Sequence, residues 1–234
     1  MPIVIPKREV WTQQPAQPKS IDSALSMPSA SLLAGSIVTV NGGTTLFPTL
    51  YSGATPYAGG FSLPSGGYVQ FPTAAISITQ PFTLVLRIRT GTSLTNQTIL
   101  ASSLATAGNR TIRILIVSAT SIQFLLGDAT GMWADDTQTI NPTLATNSLY
   151  TMVVRYTRAP SLAKNITINR TKNNFTDDRG SYPLAPAALR FGKEESLAGY
   201  DFAGQILGYA CIPRYMTDGE VSMVMDNPYR IVQP

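Results

Sequence analysis

The chain has 234 residues, of which only 13% are charged, and a formal net charge of +4. It contains no histidine and one cysteine, Cys211, which excludes Ser-His-Asp and Cys-His catalysis, histidine-ligated zinc or iron, and any intramolecular disulfide. No GxxxxGK[ST] loop occurs, no GxGxxG follows a strand, and the basic residues are not clustered as nucleic-acid binding would require.

Residues 1–30 carry Pro2, Pro6, Pro15, Pro18 and Pro28 with no sustained periodicity. Proline at that density resists both helix and central strand. An extended arm is expected here, with an edge strand around Ile3–Ile5 and an apolar anchor in Val10 and Trp11. The opening MPIVIPKREVW lacks the apolar run of a signal peptide, and no stretch is long enough to span a bilayer. Synthesis in a cytoplasm, without a membrane span, is the expectation.

From about residue 31 a period of two recurs. In PFTLVLRIRT, Phe82, Leu84, Leu86 and Ile88 point one way and Thr83, Val85, Arg87 and Arg89 the other. Ile112, Ile114 and Ile116 share a face, as do Ile122, Phe124 and Leu126. Tyr150, Met152, Val154 and Tyr156 alternate with Thr151, Val153, Arg155 and Thr157, and Ile166 pairs with Ile168 in NITIN. Turn-rich segments such as LPSGGY, LGDATG and RTKNNFTDDRG separate these runs. The pattern predicts an all-β antiparallel sandwich over residues 31–227, followed by a short tail, 228–234. Five Asn-x-Thr sequons begin at Asn96, Asn109, Asn165, Asn169 and Asn174; they read as ordinary strand and turn residues.

One helix is expected. Phe202–Ile212 is apolar on both faces, a strand covered on both sides and a buried setting for the Cys211 thiol. Thr217 then opens T-D-G-E, a capping box with Glu220, and VSMVM continues the helix until Asn227-Pro228.

These residues carry a family resemblance. Phe202, Gly204 and Ile206, then Arg214, Met216, Thr217, Glu220 and Val221, resemble the closing pattern F-x-G-x-I … R-x-L-[ST]-x-x-E-[IV] of laminin G-like, concanavalin A-like jelly-roll domains. GGYVQFP with PFTLVLRIRT is similar to an earlier strand pair of that family. The resemblance implies a jelly roll with one short C-terminal helix. The two ends, WTQQP from Trp11 and NPYRIVQP from Asn227, resemble small structural proteins of tailed bacteriophages.

Three functions are weighed. Jelly-roll hydrolases carry acidic residues at alternating strand positions, whereas the acids here fall in turns, so an enzyme is not expected. A lectin-like module would use Trp133 for stacking with Asp135 and Asp136 beside it. The reading preferred from sequence is a non-enzymatic bacteriophage virion protein, in capsid decoration or as a tail or fibre accessory. Its partners would be other virion proteins and further copies of itself, such as a trimer, with a surface glycan as the alternative ligand. Val10, Trp11 and a basic outer stripe of Arg87, Arg89, Arg113 and Arg155 are its candidate contacts. No cofactor is expected. The acidic pairs Asp135–Asp136, Asp177–Asp178 and Glu194–Glu195 are considered for calcium, but read as solvated turn residues, leaving no metal.

Overall fold

Alternation of apolar and polar side chains decides this architecture, because each strand must send every second residue into a shared interior. The structure is a computed structural model that describes residues 23–26, 38–41, 44–46, 50–57, 60–71, 81–102, 112–126, 137–157, 163–175, 188–194, 199–212 and 214–227. Two antiparallel sheets face each other. The larger has the order β15 (Thr171–Phe175), β14 (Ala163–Ile168), β13 (Leu149–Thr157), β8 (Phe82–Arg89), β17 (Gly204–Ile212), β1 (Ser23–Ser26), β2 (Val38–Asn41) and β3 (Thr44–Leu46). β6 (Gly60–Leu63) and β5 (Thr55–Tyr57) continue from the first residues of β17. The smaller runs β12 (Thr137–Thr139), β11 (Ser121–Leu126), β10 (Ile112–Ser118), β9 (Gln97–Ser102), β16 (Leu189–Phe191), β7 (Tyr68–Phe71) and β4 (Leu50–Ser52).

The interior is made by the rows that alternation selects. Phe82, Leu84, Leu86 and Ile88 of β8 meet Ile112, Ile114, Ile116, Ile122, Phe124 and Leu126 of the opposite sheet, all buried. Phe191 of the smaller sheet packs edge-on against Phe71 at 5.8 Å and against Tyr209 of the larger sheet at 5.1 Å. Such ring pairs contribute roughly 0.5–1.5 kcal/mol each beyond simple burial. Gly204 has its reason here: a Cβ on it would lie 2.5 Å from the Arg89 carbonyl oxygen and 2.5 Å from the Phe202 ring.

The single described helix, α1 (Asp218–Asp226), lies where the capping box predicts. Thr217 accepts from the Glu220 amide, and the Glu220 carboxylate accepts from the Thr217 amide at 2.8 Å. The rest of the motif is also physical. Arg214 forks onto both Glu220 oxygens at 2.7 and 2.9 Å. The Thr83 hydroxyl donates to the Arg214 carbonyl at 2.8 Å and accepts from the Met216 amide at 3.0 Å, stitching the segment before α1 to β8. Met216, Val221 and Val224 then bury against Val85, Val153, Ala210 and Ile212 on the outer side of the larger sheet, each such side chain worth roughly 1.5–3 kcal/mol.

Ser23–Ser26, within the segment read as an arm, forms β1 and pairs with both β17 and β2 of the chain's own larger sheet. The rest of that segment through residue 22, including Ile3–Ile5, Val10 and Trp11, and the tail 228–234 lie outside the described residues. The sequons behave as strand and turn residues where described: Asn96 and Asn169 hold turns at positive φ, and Asn165 is buried.

Replacing the cap tests the helix directly. Thr217→Ala is expected to cost about 1 kcal/mol, lowering Tm by roughly 2–4 °C for a chain of this size. Thr217→Ser, which keeps the cap, should restore most of it.

Candidate binding face on the larger sheet

The outer side of the larger sheet is best read as cross-strand rows on β13, β8 and β17. Register sets four of them: Leu149–Arg89–Gln205, Thr151–Arg87–Gly208, Val153–Val85–Ala210 and Arg155–Thr83–Ile212. A register shift between Ile206 and Gly208 leaves Leu207 as the extra residue and keeps the rows in phase. Met216 and α1 cover the last two rows. In the first two, Arg87, Arg89 and Gln205 are partly covered and Thr151 is buried, with Leu149 among the exposed large apolar residues.

Arg155 anchors the covered half. Its side chain is 1% exposed, and every arm is engaged. Nε donates to Asn165 Oδ1 at 2.9 Å, Nη1 to the Met216 carbonyl at 2.8 Å, and Nη2 pairs with Asp218 Oδ1 at 2.6 Å. The guanidinium lies 4.8 Å from the Tyr215 ring centre, and Asn165 donates to the Tyr215 hydroxyl at 2.7 Å. Lys172 also reaches Asp218, and Arg170 pairs with Asp226, so the β14–β15 hairpin grips α1 at both ends. That hairpin turns on Asn169 and Arg170, both at positive φ, a two-residue reversal whose twist suits the flanking strands.

These pairs hold two carboxylates below their ordinary range. The hydrogen bond from Arg155 lowers Asp218, with the Arg155 and Lys172 charges adding to it against a burial effect. The Arg214 fork holds Glu220 at about 2, with the Thr217 cap contributing, again against burial.

In the open half, Arg87 donates to the Thr151 hydroxyl at 3.2 Å, and Arg89 donates to the Asn147 carbonyl at 3.3 Å. Gly208 puts no side chain opposite Arg87. Gln205 faces Arg89 in register, and the row runs on through Ser62 of β6 and Thr55 of β5.

The four arginines expected to line one basic stripe do not do so. Alternation places each of them off the core face, but parity does not say which sheet a strand joins. β10 belongs to the smaller sheet, so Arg113 lies on the far side of the molecule, buried and paired with Glu194 at 2.7 Å and with Gln123 at 2.7 Å. Arg155 is in the right sheet but under α1. Arg87 and Arg89 remain together. The same pairing engages Glu194, one of the carboxylates considered for calcium. Trp133, Asp135 and Asp136 lie outside the described residues, as do Asp177, Asp178 and Glu195. Arg190 was not singled out from sequence, although Leu189 and Phe191 around it give the same alternation signal. It sits in register with Ala101, as Arg113 does on the other side, donates to Gln70 at 3.0 Å and stacks over Tyr68.

No family model matches this chain, and no curated protein matches it. Solved structures do. The botulinum neurotoxin serotype D binding domain is similar with a TM-score of 0.65 at 14% identity, over 88% of this chain and 52% of that one. The receptor-binding domain of the C/D mosaic serotype gives a TM-score of 0.64 at 14% identity, over 88% and 51%. The serotype D ligand-binding domain in complex with N-acetylneuraminic acid gives 0.63 at 14%, over 88% and 50%. This chain thus spans about half the length of those chains, and at this identity the likeness is one of β-sandwich fold.

Two outcomes follow from the Arg155 and Glu220 contacts. Arg155→Ala leaves Asn165 and the Met216 carbonyl without their donor and should cost about 3 kcal/mol in urea unfolding. Both carboxylates are depressed below their ordinary values, so each adds stability that is present at neutral pH and lost in acid; for Glu220 it is complete above about pH 4.5 and is lost as pH falls through about 2. Glu220→Gln, which keeps a capping-box side chain, should flatten the stability slope between pH 4.5 and 2; an unchanged slope would contradict the assignment.

Proposed function

We propose that this chain is a non-catalytic recognition module that binds a surface glycan through the open half of its larger sheet. The observation that carries the reading is the polar, partly covered row Leu149–Arg89–Gln205–Ser62 beside a half closed by α1. None of the described strands contains an Asp or Glu, so they offer no pair of carboxylates facing each other across a sugar bond. Among the described acids, Glu194, Asp218, Glu220 and Asp226 are held by arginine partners. The similar solved structures are titled as receptor-binding domains, one with a bound sugar acid. That is said of those proteins, and it supports the choice of ligand class here.

The setting we propose is a bacteriophage virion, where such a module would serve host attachment while docking on capsid or tail proteins. This rests on the resemblance of WTQQP and NPYRIVQP to the ends of small phage proteins, and on the laminin G-like closing pattern around Arg214 and Thr217.

A panel of bacterial surface polysaccharides and mammalian oligosaccharides tests the reading. The chain should be retained on at least one immobilised glycan and should release no reducing ends from any. Turnover abolished by mutating one Asp or Glu would overturn the non-catalytic part, and absence of retention on every glycan would overturn the ligand.

A further inference from the structure

We infer that Asp218–Gly219 is a covalent modification site, where the main chain rearranges through a succinimide to isoaspartate, and that the ion pairs of Asp218 hold the reaction back while α1 is docked.

This is the only Asp-Gly dipeptide in the sequence, and the fold does not explain its glycine. Gly219 is not among the glycines at positive φ. A Cβ built on it would meet only the Thr217 hydroxyl oxygen, at 3.9 Å. Glycine is the poorest helix former after proline, so alanine would serve α1 better. What glycine does provide is a following peptide nitrogen with no side chain to shield it, the condition under which an aspartate closes on its own chain.

The step balances without a co-reactant. The Gly219 nitrogen attacks Cγ of the protonated Asp218 carboxyl, forming an N–Cγ bond, and the amide proton leaves with the carboxyl hydroxyl as water. A second water then adds to the Asp218 main-chain carbonyl and breaks its bond to the Gly219 nitrogen. The chain now runs through Cγ, with a carboxylate left on Cα and the mass unchanged.

Both residues are exposed, Asp218 at 71%, so water reaches them. As the second residue of α1, Gly219 has an amide that helix geometry leaves without an intrahelical acceptor; the next two amides go to the Thr217 hydroxyl and carbonyl. Opposing the reaction, Arg155 at 2.6 Å and Lys172 at 3.4 Å anchor the carboxylate to β13 and β15 as an anion, the form with no hydroxyl to lose. Isoaspartate would insert a methylene between Thr217 and Glu220, whose spacing makes the capping box. The modified chain would lose the first turn of α1.

Ageing the full chain in heavy-oxygen water at mildly acidic pH, folded and in urea, tests the site. Trypsin releases Tyr215–Arg230, and fragmentation separates isoaspartate at 218 from any at 226. Isoaspartate carrying one heavy oxygen should accumulate at 218 in urea, and severalfold more slowly in the folded chain. Folded Lys172→Gln should react faster than folded wild type. Gly219→Ala should slow the reaction in urea as well, with Tm equal to wild type or higher. Absence of isoaspartate at 218 in both states, or a wild-type rate in Gly219→Ala, would overturn the site. Equal rates folded and in urea, or no change in Lys172→Gln, would overturn the hold.

Discussion

A sheet that buries one face in a sandwich still has a second face to resolve, and here one arginine settles how. Arg155 is almost fully enclosed, yet its three nitrogens reach a side-chain amide, a main-chain carbonyl and a carboxylate, and its flat face meets Tyr215. Enclosing a guanidinium is costly unless every donor is used. The arrangement at Arg155 therefore fixes several elements at once: Asn165 on β14, Met216 before α1, and Asp218 in its first turn. Asp218 itself remains 71% exposed, so the ion pair adds direction and an N-terminal negative charge suited to the helix dipole, while Val221 and Val224 supply the apolar hold.

Placing α1 there divides the outer face. The helix has only nine residues, about 13 Å at 1.5 Å per residue, too short to cover the full length of β8. Rows three and four lie beneath it and are apolar or tied down, Arg155 by two hydrogen bonds and an ion pair. Rows one and two carry Arg89, Gln205, Arg87 and Thr151 and are not covered by the helix. The fold thus places the helix and its contacts at one end of β8, and the binding surface we propose is the row at the other, presented by the rigid sheet itself. The far side of the molecule follows a different rule: Arg113 and Arg190 flank Ala101 there, but both are buried and bonded within the sheet.

Much of this was legible in the sequence. Period-two alternation identified the inner rows of β8, β10, β11, β13 and β14 residue by residue, because burial on one face leaves an unambiguous pattern. T-D-G-E located α1 because capping depends on four neighbouring residues and little else. What alternation could not convey is sheet membership, which is a long-range property: Arg113 and Arg87 look alike locally and end on opposite sides. Nor could it show that Arg155 would be enclosed, since that depends on a helix more than sixty residues later in the chain. The Arg89–Gln205 pairing spans a still longer interval, and no local signal marks it. Lectin-like chemistry at Trp133, Asp135 and Asp136 and assembly contacts at Val10 and Trp11 concern residues outside those described.

The central claim is that α1 closes one half of this face and leaves the other as the recognition surface. Amide chemical shifts of the isotope-labelled chain, followed during titration with a glycan that the immobilised panel retains, address it most directly. The account predicts shifts gathered at Arg87–Arg89, Leu149–Thr151 and Gln205–Gly208, with the amides of α1 unmoved. Shifts centred instead on α1, or on Arg113 and Arg190 across the sandwich, would contradict it.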